Sequence, residues 1–167
     1  MPIALTADVH LKPTYEEAPE RYDALVDILN QVQEQGISEL ILAGDTYDKD
    51  ITKPDLLDEL LKRYPDIQVY MIPGNHDPNI RPEAFTADNL TLVTEPTWQQ
   101  LGEQATPFLL IPYRGSQSMG AALAEVEQDQ GFPADGAPWY LVGHGDHLTG
   151  SKPPNPYEPG IYMPLTG

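Results

Sequence analysis

The first half of the chain alternates between two hydrophobic periods, and that alternation restricts the fold more than any other feature. Residues 3–7 form a short apolar run followed at once by polar residues, as in a buried strand ending at a loop. From residue 19 to 35 the apolar side chains Tyr22, Leu25, Ile28, Leu29 and Val32 recur at helical spacing, and Gly36 stands where a helix cap belongs. Residues 39–43 repeat the short strand. Thr52 and Asp55 have capping-box spacing and open a second helix, which buries Leu56, Leu57, Leu60 and Leu61 and ends near Pro65. Residues 67–72, stopped by Pro73 and Gly74, make a third strand. This order predicts an α/β fold of parallel strands with helical crossovers. Further short strands are expected at 90–94, 107–111 and 139–142, with a helix over 117–128.

A chain of 167 residues is about one domain's worth, and a single domain over 1–167 is expected. Nine Lys+Arg against 26 Asp+Glu leave a net charge of −17, which excludes a generic nucleic-acid or anionic-membrane binder. A phosphate-bearing partner must therefore be met by something other than surface lysines. The absence of cysteine excludes disulfides, thiolate zinc sites, iron–sulfur clusters and a cysteine nucleophile. The N-terminus reaches Asp8 and His10 before any apolar stretch long enough for a signal peptide, and no run approaches the ~20 apolar residues of a membrane span. A cytoplasmic protein with no membrane partner is the default expectation.

The chemistry-bearing residues gather where the three predicted strands end: Asp8 and His10, then Asp45, then Asn75, His76 and Asp77. Carboxyl ends of parallel strands are where open α/β sheets place their ligands. All four histidines lie within two residues of a carboxylate, with His144 and His147 flanking Asp146. Oxygen ligands mixed with imidazole nitrogen suit divalent ions such as manganese, iron or zinc. On an extended segment Asp8 and His10 face the same side and reach one ion, although a turn-capping Asp8 beside a merely exposed His10 fits equally well. Gly44 lets the backbone at Asp45 approach a site closely. Gly74-Asn75-His76-Asp77 combines a turn glycine, a neutral oxygen ligand, an imidazole and a carboxylate able to orient it, with a local Asx turn as the plainer alternative.

Taken in order, Asp8-x-His10, Gly44-Asp45-x-x-Asp48, Gly74-Asn75-His76-Asp77 and His144-Gly145 resemble the calcineurin-like metallophosphoesterases. In detail they look like the nuclease subunits of the Mre11 and SbcD type, with Ile111-Pro112-Tyr113 as a later match, and the resemblance covers nearly the whole chain. It implies a four-layer sandwich of two mixed sheets flanked by helices. It also implies a dinuclear centre in which Asp8 and His10 bind one divalent ion, Asp45 bridges both, and Asn75 with His144 binds the second, manganese being the leading ion. His76, held by Asp77, is implied as general acid or charge stabiliser at the scissile phosphate. Asp48 is expected to support the site rather than to ligate.

One part of the family pattern is missing. The Gly-His-x-His motif that completes both metals is absent; His144-Gly145-Asp146-His147 spaces its histidines by three rather than two. His147 is a candidate substitute ligand, and the last part of the fold is expected to be absent or supplied by a partner chain or a second copy. The expected function is metal-dependent phosphodiester hydrolysis, like that of DNA repair exonucleases, on a small diester or a nucleic-acid end. The alternative is a catalytically impaired or truncated scaffold. Among other side chains, Tyr47 and Tyr113 adjoin the motif loops and are open to substrate contact, Trp98 and Trp139 read as core and rim, and Lys49 and Arg114 read as surface charges.

Overall fold

The computed structural model describes residues 2–50, 54–115, 117–134 and 136–145. Its first sheet holds β1 (Ala4–Thr6), β2 (Glu39–Ala43), β3 (Gln68–Ile72) and β4 (Leu90–Leu92) in that order, every neighbour pair parallel. The second sheet holds β5 (Thr97–Leu101), β6 (Thr106–Ile111) and β7 (Tyr140–Gly143); β5 and β6 form an antiparallel hairpin, and β7 runs parallel to β6. Helices α1 (Pro19–Glu34) and α2 (Asp55–Leu61) make the first two crossovers, and α3 (Met119–Asp129) links β6 to β7.

Side-chain alternation along the central strands sets the layers. In β2, Leu40 and Leu42 face one way, into a core shared with Leu25, Leu29 and Val32 of α1 and Leu57, Leu60 and Leu61 of α2. Ile41 and Ala43 face the other way and meet Leu110 of β6, Leu101 of β5 and Ile72 of β3 between the sheets. Leu109 and Ile111 of β6 then point outward to Ala122 and Val126 of α3. Burial on both faces explains why β2 and β6 read as continuous apolar runs rather than alternating ones. The result is the expected four-layer order of helices, sheet, sheet and helix, although among the described residues only the second sheet is mixed and the first is wholly parallel.

Several boundaries differ from the sequence reading. Gly36 does take a positive φ of 66° beyond α1. Pro54 precedes the first residue of α2 and its carbonyl accepts from the Leu57 and Asp58 amides; Thr52, the expected cap, lies outside the described residues. Leu56 is half-buried rather than core. Strand β5 has no counterpart in the sequence reading: its residues, Thr-Trp-Gln-Gln-Leu, carry too little apolar signal. Its partner β6 and the turn at Gly102, with Ala105 at φ 46°, decide it. Among the described residues no helix is long and apolar enough to cross a membrane.

Candidate active site

At the carboxyl ends of β1, β2 and β3 the loops are fastened to one another before any side chain is considered. Asp8, His10 and Leu11 donate their amides to the carbonyls of Gly44, Asp45 and Thr46 at 3.2, 3.0 and 2.8 Å, and Asp48 N returns to Leu11 O at 3.1 Å. The path requires left-handed backbone at Asp8, His10 and Asp45, with φ of 56°, 52° and 47°. L-residues bearing a Cβ rarely adopt it, and each instance costs on the order of 1 kcal/mol, so three together mark a segment held for its geometry. Gly44 and Gly74 supply the close approaches. A Cβ at Gly44 would lie 2.2 Å from the His144 ring, and one at Gly74 would lie 2.1 Å from Asp45 Oδ1.

Asp45 is the centre. It is 3% exposed, and its Oδ1 accepts the His76 backbone amide at 3.0 Å. Its Oδ2 is faced by three imidazole Nε2 atoms, from His144 at 3.3 Å and from His10 and His76 at 3.9 Å each. His144 Nδ1 donates to the Ala43 carbonyl at 3.1 Å, which directs Nε2 inward, where it also meets Asn75 Oδ1 at 3.1 Å. Asp8, largely exposed, brings Oδ1 to 3.9 Å from His10 Nε2. Ligand atoms therefore fall into two overlapping sets, His10, Asp45 and His76, and Asp8, Asp45 and His144, each within 4.8 Å and both sharing Asp45.

The electrostatics favour positive charge here. Burial disfavours the His144 imidazolium, but the hydrogen bond and charge of Asp45, with the Ala43 carbonyl and Asp8, outweigh it and raise the group to about 9. Burial likewise pushes the Asp45 carboxyl up, and hydrogen bonds from His144 and the His76 amide carry it below its ordinary value. Carboxylate, carboxamide and imidazole donors around a pocket that already favours a cation fit divalent ions such as manganese, iron or zinc. His10 presents Nε2 to Asp45 at 3.9 Å, and its Nδ1 is buried with no hydrogen-bond partner.

The structure thus brings together Asp8, His10, Asp45, Asn75, His76 and His144. Asp77 does something other than hold His76. It is fully buried, and its carboxylate accepts the amides of Tyr47 at 3.0 Å and Gly74 at 2.7 Å, tying the β2 loop to the β3 loop beneath the site. Burial raises its pKa against those two hydrogen bonds. The His76 ring is instead met at Nδ1 by the Asp48 carbonyl at 2.9 Å. Tyr47 is 1% exposed and belongs to the core, so it is withdrawn from substrate contact. Arg114 pairs with Glu95 and Glu125, a surface role. Asp146 and His147 lie outside the described residues.

Sequence reasoning missed Lys12 and Arg21. Both hold the Asp48 carboxylate, Lys12 Nζ on Oδ2 and Arg21 Nη1 on Oδ1 at 3.1 Å, and these hydrogen bonds lower it to about 2. Lys12 stands two residues after His10, which was a usable signal, whereas Arg21 sits on α1 outside every motif.

The model of the calcineurin-like phosphoesterase family matches residues 1–155. Among solved structures, the crystal structure of Pseudomonas putida nuclease MPE is similar at 27% sequence identity with a TM-score of 0.42, over 69% of this chain and 55% of that one. The chain spans little more than half the length of that nuclease. No curated protein matches.

Proposed function

The chain belongs to the calcineurin-like phosphoesterase family, and we propose that it is a metal-dependent phosphoesterase that hydrolyses phosphodiesters. The observation that carries this reading is the convergence of three imidazole Nε2 atoms, from three separate loops, on Asp45 Oδ2. Packing demands nothing of the kind. Asp45, common to both donor sets, would be shared by two divalent ions, with Asp8, His10, Asn75 and His144 as the further ligands that the family pattern implies, and manganese is the ion proposed. Such ions supply Lewis-acid stabilisation of phosphoryl charge and a nucleophile from water at neutral pH.

The remaining chemistry falls to the side chains. His76 is 44% exposed, with Nε2 directed to the Asp45 side of the cleft and Nδ1 on the Asp48 carbonyl. In the imidazolium form it donates from Nδ1 to that carbonyl and from Nε2–H to the departing ester oxygen. Fixed donors of this sort cost no reorganisation as the charge develops. The net charge of −17 argues against long duplexes as substrates of this chain alone and favours a small diester or a nucleic-acid end.

Manganese-supported hydrolysis of bis(4-nitrophenyl) phosphate, run beside 4-nitrophenyl phosphate and end-labelled DNA, tests the reading. Turnover of the diester that chelation abolishes and manganese restores is expected. Two ions bound per chain with no turnover of any substrate would replace the enzyme with the scaffold reading.

A further inference from the structure

Asp48 backs both inward-facing histidines from behind. Its backbone carbonyl meets His76 Nδ1 at 2.9 Å, and its carboxylate Oδ1 lies 3.8 Å from His10 Nδ1. The two rings stand edge to face with centroids 4.9 Å apart. With both Nδ1 atoms turned toward one residue, both Nε2 atoms face Asp45 at 3.9 Å.

What holds Asp48 comes from a different part of the fold. Arg21 lies in the first turn of α1, one helical turn before the buried anchor Leu25. A single guanidinium nitrogen, Nη1, donates to Asp48 Oδ1 at 3.1 Å and to the carbonyl of His10 at 2.7 Å, joining the β1 loop to the β2 loop. Lys12 takes the other carboxylate oxygen. Arg21, Lys12 and Asp48 are 37%, 28% and 31% exposed, and ion pairs so open to solvent add little to stability. Their consequence is geometric. The planar guanidinium has donors in a fixed fork, and α1 itself is immobilised by Leu25, Leu29 and Val32 in the core.

We infer that Arg21, acting through Asp48 and assisted by Lys12, is the positioning residue that fixes which nitrogen His76 turns toward Asp45. The inference rests on the phosphoesterase reading for its catalytic consequence, but its structural content stands apart from it: in the metal-free protein the His76 ring carries hydrogen at Nδ1 when neutral, because only a donor can bond the Asp48 carbonyl, leaving Nε2 free as ligand or acceptor. Free imidazole side chains prefer the opposite tautomer, so the preference requires an external constraint.

The test compares wild type with Arg21→Gln, Arg21→Lys and Lys12→Met by long-range proton–nitrogen correlation spectra of the imidazoles, with manganese titration and diester turnover on the same samples. Wild type is expected to show Nδ1–H at His76. Arg21→Gln should move it toward Nε2–H, weaken manganese and lower kcat by about tenfold or more with KM nearly unchanged, as loss of an orienting partner commonly does. Arg21→Lys should restore part of each change, and Lys12→Met should give a smaller shift in the same direction without loss of fold. Wild-type tautomers and manganese affinity in folded Arg21→Gln or Lys12→Met would overturn the inference. If wild type binds manganese and turns over nothing, the phosphoesterase reading fails, while the tautomers still decide the role of Arg21.

Discussion

Two buried aspartates at opposite rims of the parallel sheet, Asp58 and Asp45, are held on opposite terms. At the amino ends of β3 and β4, Asp58 of α2 accepts the amides of Thr86 and Ala87 at 2.7 and 2.8 Å and the Thr86 hydroxyl at 2.7 Å, with Lys62 Nζ at 2.9 Å. Beside it, Asn89 Nδ2 donates to the carbonyls of Leu61, Tyr64 and Ile67 at 3.1, 2.9 and 2.9 Å, closing the end of α2 onto the start of β3. At the carboxyl ends Asp45 instead faces three imidazole nitrogens, on loops that run through left-handed backbone at Asp8, His10 and Asp45. Asp58 is satisfied largely by main chain and holds the fold. The surroundings of Asp45 hold strain and group oxygen and nitrogen donors around its carboxylate, which is what a cation site requires. Burial of a carboxylate therefore does not announce function; the identity of its partners does.

The largest effect that separates the rims is expected from Asp45→Asn. Removing the shared charge should abolish manganese binding, measured as metal content after dialysis, and lower diester turnover by more than about 100-fold while the chain stays folded. Binding at wild-type stoichiometry would erase the distinction. Next comes Gly74→Ala, whose Cβ would lie 2.1 Å from Asp45 Oδ1 and 2.3 Å from Asp45 N. Overpacking of this kind costs about 1–3 kcal/mol, so both Tm and activity should fall together.

Asp58→Ala should do the reverse of Asp45→Asn: it strands the Thr86 and Ala87 amides and costs about 2 kcal/mol in urea unfolding, with turnover per folded molecule unchanged. Its pH dependence has a definite sign. Burial raises the Asp58 carboxyl, but hydrogen bonds from Thr86, Lys62 and Ala87 lower it to about 2, below its ordinary 3.8. A depressed folded-state pKa contributes stability that is fully present above the unfolded value and is lost as pH falls through the folded one. The stability gap between wild type and Asp58→Asn should therefore narrow between about pH 4 and pH 2, seen by urea titration at each pH. The smallest effect is expected from Lys62→Met, which removes a partly exposed partner of Asp58 and should cost less than about 1 kcal/mol.

Much of the grouping at the candidate site was legible in the chain. Asp8, His10, Asp45, Asn75 and His76 follow strands of the parallel sheet, whose connection makes those ends neighbours, whereas His144 follows β7 of the other sheet and reaches them by the packing of one sheet on the other. The role of Asp77 was not legible, because adjacency in sequence to His76 says nothing of direction: its carboxylate turns down to the Tyr47 and Gly74 amides. Arg21 was hidden for a related reason. It lies 11 residues from His10 and 27 from Asp48, on a helix whose visible signal is its buried face. Strand β5 was hidden because its pairing with β6, rather than its own composition, makes it a strand.

The amino-acid sequence by itself determined the alternation of strands and helices in the first half of the chain and the residue types available for chemistry. Those follow from periodicity and from short-range steric rules, which act along the chain. Only the tertiary structure decided which oxygen faces which nitrogen. The convergence on Asp45 Oδ2, the diversion of Asp77 beneath the site and the clasp of Arg21 on Asp48 depend on loops from different strand ends meeting in space. Contacts at hydrogen-bond range are set by that meeting and leave no period in the chain.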